Sequence, residues 1–303
     1  MNTLVSLLPD FGIIAVGALI GSRIALASWL QIDKLCYYLF YPALLFAAAS
    51  QRPIAAEALV QTGLLACAIV TAGFLLVLCA GSLSRGYSRS TRAGVSQNAW
   101  RFNTALGFVA VSALPAEAAS VLAIIVGLAI PLANLYAVLA MTREQSDSRW
   151  RRLSEIALNP FLLASLAGIT VGLVGKPLPP MASAFVNRLA DAAIPVVLLS
   201  LGAALRQFRI WPPDRYALAI IGIKLLALPA LVGSVVLLGD YRGILPATLL
   251  IFSALPTASA AHVLAARYGA DRSQVATVVM QSTTMGLLTL PLWTALALRI
   301  AGV

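Results

Sequence analysis

The stretch SQNAWRFNTALGF, Ser96 to Phe108, carries Gln97, Asn98, Arg101, Asn103 and Thr104 within eight positions. It lies inside a run, 93–113, that is otherwise apolar and long enough to cross a bilayer. Polar groups in hydrocarbon are expensive, so this much polarity marks a helix that is interrupted, lines a cavity, or both.

The rest of the chain sets that reading. Of 303 residues, 60% are hydrophobic and only 11% charged, too few charges to cover a soluble globule. At about 20 residues per span the length allows roughly ten spans and no soluble domain. Apolar runs occur at 4–22, 32–50, 54–80, 93–113, 117–141, 156–174, 183–204, 216–238, 243–265 and 274–300. The longest polar connection is TREQSDSRWRRLSE, Thr142 to Glu155. The first run lacks a basic leader and is long enough to span, so it reads as a retained helix. Cys36, Cys67 and Cys79 lie in apolar runs without a CxxC pair or a histidine partner, and read as small packing residues.

The net charge of +10 is distributed unevenly. Fourteen Lys and Arg residues lie at the odd-numbered connections and five on the other side, with Arg101 and Lys224 inside spans. The positive-inside rule then places both termini outside the cytoplasm, in a multi-pass inner (plasma) membrane protein whose basic loops are topological signals; no nucleic-acid partner is expected.

Five spans followed by five predict two halves of opposite orientation, 1–141 and 156–303, joined by a cytoplasmic linker, 142–155. YPALLFAAAS (Tyr41–Ser50) parallels IPVVLLSLGA (Ile194–Ala203), and AIPLANLYAVLA (Ala129–Ala140) parallels TLPLWTALALRI (Thr289–Ile300). Pro42 aligns with Pro195 and Pro131 with Pro291; each is also explicable as a tolerated kink.

Inverted repeats put substrate near the midplane, where half-helix ends point partial positive charge at anions. The fourth run, with Gly107, and the ninth, FSALPTASAAHVLAARYG (Phe252–Gly269) with Pro256, Thr257, Ser259 and His262, are the candidates for interruption. Arg101, Asn103 and Thr104, with Gly107, Pro256, Thr257 and Ser259 at the interruptions, are candidate substrate-binding residues; Arg101 could instead snorkel or pair with Asp191. Asp191, His262 and Gln281 are candidates for ion coupling, each with a purely structural alternative. Lys224 is expected to snorkel, and Glu57 and Glu117 to be interfacial.

At RFNT (Arg101–Thr104) and LPTASAAHVLAARYGADRSQVA (Leu255–Ala276), and at YPALLF, NPFLLASLAGITVGLVGKPLP, LADAAIPVVLLSLGAAL and STTMGLLTLPLW, the chain resembles the auxin efflux carrier family. That family includes bacterial malonate and organic-anion transporters and the PIN carriers of plants. The resemblance implies an all-α fold of ten transmembrane helices in two inverted five-helix repeats. It further implies a crossover of broken helices 4 and 9, scaffold and transport subdomains, and alternating access, with Asn103 contacting a substrate carboxylate. Many relatives carry proline shortly after the NT pair. Here NTALGFVAV has only Gly107 before Pro115, so either Gly107 breaks the helix or the interruption is milder.

The function expected is secondary transport of a small organic anion, auxin- or malonate-like, by an elevator or rocking movement. No cofactor is expected; proton coupling, sodium coupling and uniport are all open alternatives, as is a homodimer. Leu45 and Val197 would touch the body of the substrate. The absence of a Walker A motif argues against ATP coupling within the chain. The alternative within transport is a sodium-coupled carrier resembling bile-acid symporters. A membrane-embedded enzyme would need a nucleophile, metal or paired-carboxylate constellation at depth, which one histidine and scattered acids do not supply. A receptor would need a signalling domain.

Overall fold

Long apolar runs in this chain become helices because a backbone without water must satisfy its own N–H and C=O groups. The computed structural model describes residues 8–50, 56–141, 157–158, 160–175, 178–207, 212–258, 261, 264–265 and 268–303. In order, the helices are α1 (Leu8–Ile20), α2 (Leu26–Leu35), α3 (Tyr41–Ser50), α4 (Ala56–Leu76), α5 (Arg89–Ser96), α6 (Thr104–Val111) and α7 (Glu117–Met141). They continue with α8 (Pro160–Val174), α9 (Pro180–Gln207), α10 (Arg215–Gly222), α11 (Leu228–Leu238), α12 (Ile244–Ala254) and α13 (Arg272–Ala301). Among the described residues there is no strand.

Among the described residues, six continuous helical segments are long and apolar enough to cross a membrane: Ala27–Ser50, Leu59–Ser84, Glu117–Met141, Pro180–Ala203, Arg215–Leu238 and Ser273–Ala301. Pro160–Val174 and Ile244–Ala254 are shorter apolar helices. Two expected spans are therefore not continuous: 93–113 divides into α5 and α6, and 243–265 ends its first helix at Ala254.

Prolines shape the long segments by removing a donor and crowding the carbonyl four residues back. Before Pro42 and Pro229 the helix widens into single π turns, Cys36–Phe40 and Ile223–Ala227, closed by Tyr41 N–H to Cys36 O and Leu228 N–H to Ile223 O. Pro229 leaves the Leu225 carbonyl without its helical donor, and the Trp293 indole N–H supplies one at 2.9 Å. Pro131, Pro195 and Pro291 remain within α7, α9 and α13.

The helices pack in two sets. In the first, α9 lies on α1, α2 and α3, and α3 lies on α8. In the second, α7 packs on α4, α5, α6 and α12, and α12 on α11 and α13. The sets meet where α7 touches α3 and α8, and where α6 touches α9. Small residues bring α1 and α9 together: a Cβ at Gly202 would land on the Ile14 carbonyl oxygen and 2.8 Å from Ala18 N. Lipid gives helices no hydrophobic reason to associate, so such close backbone approach is what binds them. Gly202→Val is expected to destabilise the protein by about 1–3 kcal/mol, seen as earlier thermal unfolding in detergent.

Candidate functional site: two interruptions in contact

The first interruption begins where α5 tightens into a 3-10 turn, Gln97–Ala99, and opens over Trp100–Asn103. Trp100 anchors it: the ring is 1% exposed, packs edge-on to Phe74, and donates from Nε1 to Ala133 O of α7 at 3.1 Å. Asn103 then starts α6. Its backbone is extended (φ −89°, ψ 106°), and its Oδ1 accepts from Leu106 N–H at 3.2 Å. Asparagine is among the best residues for this capping position. With Oδ1 committed to the helix end, the side-chain NH2 is what Asn103 can offer a ligand.

The break therefore precedes Gly107 rather than using it, correcting one of the two sequence alternatives. Gly107 lies inside α6, where an added Cβ would come 3.0 Å from Leu255 Cδ1 and 3.2 Å from Leu122 Cδ2. Its role is close packing against the second break. No proline is needed, because the Asn103 cap and the Trp100 anchor end one helix and start the next.

The second interruption covers Leu255–Ala258, with Pro256 at its centre. The two breaks are hydrogen-bonded directly. Asn103 N–H donates to Pro256 O at 2.8 Å, and Thr257 Oγ1 donates to Asn98 Oδ1 at 3.0 Å. Gln97 Nε2 donates to Ala261 O at 3.0 Å. Thr257 N–H, freed from helical pairing, donates to Ser282 Oγ of α13 at 3.3 Å. These buried polar groups satisfy one another across the contact, as low-dielectric surroundings demand.

The carbonyl end of α12 has its own buried donor. Lys224 does not snorkel: it is 2% exposed, and its Nζ donates to Ser253 O at 3.2 Å. The π turn at 223–227 carries this side chain to the end of α12. Lys224→Met is expected to cost about 1–3 kcal/mol in thermal stability by stripping that carbonyl of its buried donor.

Of the sequence-derived site residues, Asn103, Thr104, Gly107, Pro256 and Thr257 come together here, all of them buried. Arg101 is half-buried and donates from Nη1 to Gln97 Oε1 at 3.1 Å, with the Tyr37 phenol close enough to interact with its charge. It does not pair with Asp191, which lies exposed on α9. Gln281 is adjacent to Ser282 and 3% exposed. Ser259 and His262 lie outside the described residues, as do the linker 142–155 and part of the first apolar run. The cysteines are free thiols: Cys36 is buried, Cys67 half-buried and Cys79 exposed. Among the described residues no three His, Cys, Asp or Glu side chains cluster as metal ligands would. Asn98, Ser282 and Lys224 join the site without having been singled out as contacts. Asn98 lies in the polar stretch Ser96–Phe108, whereas nothing local in the sequence links Lys224 or Ser282 to it.

The N-terminal turn of α6 is buried against the first set of helices. Ala105 packs there with Cys36 of the π turn and Val197 of α9. Leu45, also expected beside substrate, is fully buried.

Interrupted apolar helices in polar contact define a class: a multi-pass membrane protein whose polar centre is built from broken helices. The chain belongs to the membrane transport protein family, whose family model matches residues 141–294, in keeping with its resemblance to auxin efflux carriers. It is 29% identical over 134 residues to an "Uncharacterized transporter" of Methanothermobacter thermautotrophicus, covering 44% of each chain. It is 28% identical over 137 residues to a Rhizobium meliloti protein named "Putative malonate transporter", covering 44% of this chain and 42% of that one. The chain thus matches less than half the length of either relative.

Proposed function

We propose that the protein is a secondary carrier of small organic anions, working by alternating access. The observation that carries this reading is the α6 N-terminus, set at the contact of two broken helices and capped by Asn103 with Arg101 two residues before it. A helix N-terminus offers partial positive charge to a carboxylate, and Arg101 adds a full charge. The malonate named for one relative is the first substrate to try.

In this reading α1, α2, α3, α8 and α9 form a scaffold against which the second set moves. The ten-span, inverted-repeat plan joins halves 1–141 and 156–303, with both termini outside the cytoplasm. The basic loops raise the local anion concentration on the inward side. The helix ends and Asn103 bind the carboxylate, Thr104 and Thr257 contribute hydroxyls, and Val197 contacts the substrate's body.

The test is uptake into proteoliposomes of labelled malonate, succinate, acetate and an aromatic carboxylate under imposed proton, sodium or voltage gradients. Saturable uptake of at least one carboxylate is expected, and the gradient that drives it names the coupling. Failure of every carboxylate under every gradient would overturn the anion-carrier reading.

A further inference from the structure

A second polar feature lies away from the helix contact. A pocket of about 740 Å3 opens among the end of the segment Leu59–Ser84, the start of α10 and the first turns of α13. All three walls belong to the second set of helices, and all three are ends of membrane-crossing segments, which places the mouth at a bilayer surface.

Arg85 and Arg215 line it, both exposed. The one acidic group among the lining residues, Asp214, is already engaged: its Oδ1 caps α10 by accepting from Ala217 N–H at 2.9 Å, and its Oδ2 accepts from the Tyr87 hydroxyl. Burial, then the hydrogen bond and charge of Asp214, push the Tyr87 phenol up, so it stays a neutral donor. Two guanidiniums against one occupied carboxylate leave the pocket with net positive charge, which favours an anion and opposes a bare cation.

The inner wall is a stripe of α13 made by Gln274, Thr277, Val278 and Gln281, spaced three and four apart on one face. At its deep end, Gln281 is 3% exposed and its Oε1 has no hydrogen-bond partner. A buried amide oxygen without a partner costs stability until a donor reaches it. Gln281 lies nine positions after Arg272, about 13 Å along the helix, and its side chain leans back toward the mouth.

We propose that this pocket is a second anion site, distinct from the helix contact, that takes a hydroxyl-bearing phosphate. Arg85 and Arg215 hold the phosphate oxygens, and a hydroxyl of the same molecule donates to Gln281 Oε1. Glycerol phosphate has this chemistry, whether as the headgroup of an anionic lipid or as a free metabolite, and the volume falls in the range of small-molecule sites.

The test uses the full chain in phosphatidylcholine nanodiscs with labelled sn-glycerol 3-phosphate as the probe. Saturable binding is expected, weakened at least about tenfold in the Arg85→Gln/Arg215→Gln double variant. Gln281→Leu is expected to weaken glycerol 3-phosphate severalfold while leaving methyl phosphate, which lacks the hydroxyl, unchanged. Asn103→Ala is expected to bind the probe normally, separating this site from the carrier site, and unfolding midpoints establish that each variant is folded. Competition when phosphatidylglycerol is included in the discs assigns the lipid headgroup, and its absence assigns the soluble phosphate; both outcomes support the site. No saturable binding by the wild type, equal binding by the folded double variant, or loss of binding in folded Asn103→Ala would overturn it.

Discussion

Asn103→Asp is expected to leave the protein folded and to abolish carboxylate uptake. Aspartate caps a helix as well as asparagine does, so the bond to Leu106 N–H survives, and its charge suits a helix N-terminus. The backbone bond from Asn103 N–H to Pro256 O is untouched. What changes is the ligand-facing group, from an amide donor to an anion. Two like charges about 4 Å apart at an effective dielectric near 20 repel by about 4 kcal/mol, a loss of roughly a thousandfold in affinity. Asn103→Ala loses both the cap, about 1 kcal/mol of stability, and the donor, and is expected to lower uptake by about tenfold or more. The order Asn, then Ala, then Asp in uptake, against Asn and Asp together above Ala in thermal stability, separates ligand binding from capping. Retained uptake in the folded aspartate variant would reduce Asn103 to a helix cap.

Gly286→Ala is expected to cost both stability and transport without touching a polar group. A Cβ on this buried α13 glycine would land on Cγ of the Pro256 ring and 3.0 Å from its Cβ. A proline ring cannot rotate aside, so the strain passes to the second break, whose carbonyl receives Asn103 N–H. Overpacking of this kind costs about 1–3 kcal/mol, and moving the break shifts the α6 cap bonded to it. Uptake is expected to fall by about tenfold or more, with earlier thermal unfolding. Gly222→Ala is the control: nothing lies within 4 Å of its added Cβ, so both measurements should stay near wild type. Wild-type uptake by Gly286→Ala would mean that the contact of the two breaks tolerates displacement.

Much of this architecture was legible because membrane constraints write themselves into composition. Six of the long apolar stretches are continuous helices among the described residues, and the polar stretch at 96–108 and Pro256 mark both interruptions. The position of the first break was legible only in part: Asn103 was read as a ligand contact, while its capping geometry, which places the break before Gly107, depends on an extended backbone that sequence does not display. Lys224 departs from its expected placement for a related reason. Snorkelling is the default for an isolated lysine in lipid, but the carbonyl end of α12 supplies a buried acceptor, Ser253 O, that is 29 residues away in sequence. Ser282 and Gly286 were invisible as site residues because their importance comes from what crosses them. The small-residue contact of α1 and α9 likewise depends on which helices become neighbours.

The proposed transport mechanism rests on a carboxylate bound at the N-terminus of α6. Its most direct test is substrate protection of Thr104→Cys, at the first position of that helix, in a background with Cys36, Cys67 and Cys79 replaced by serine and uptake retained. The rate of thiol labelling by a small methanethiosulfonate reagent would be measured in proteoliposomes with and without a saturating concentration of the carboxylate that is taken up. Concentration-dependent slowing, with half-protection at the concentration that half-saturates uptake, is the predicted result. An unchanged labelling rate while the same vesicles transport that carboxylate would place its binding site elsewhere.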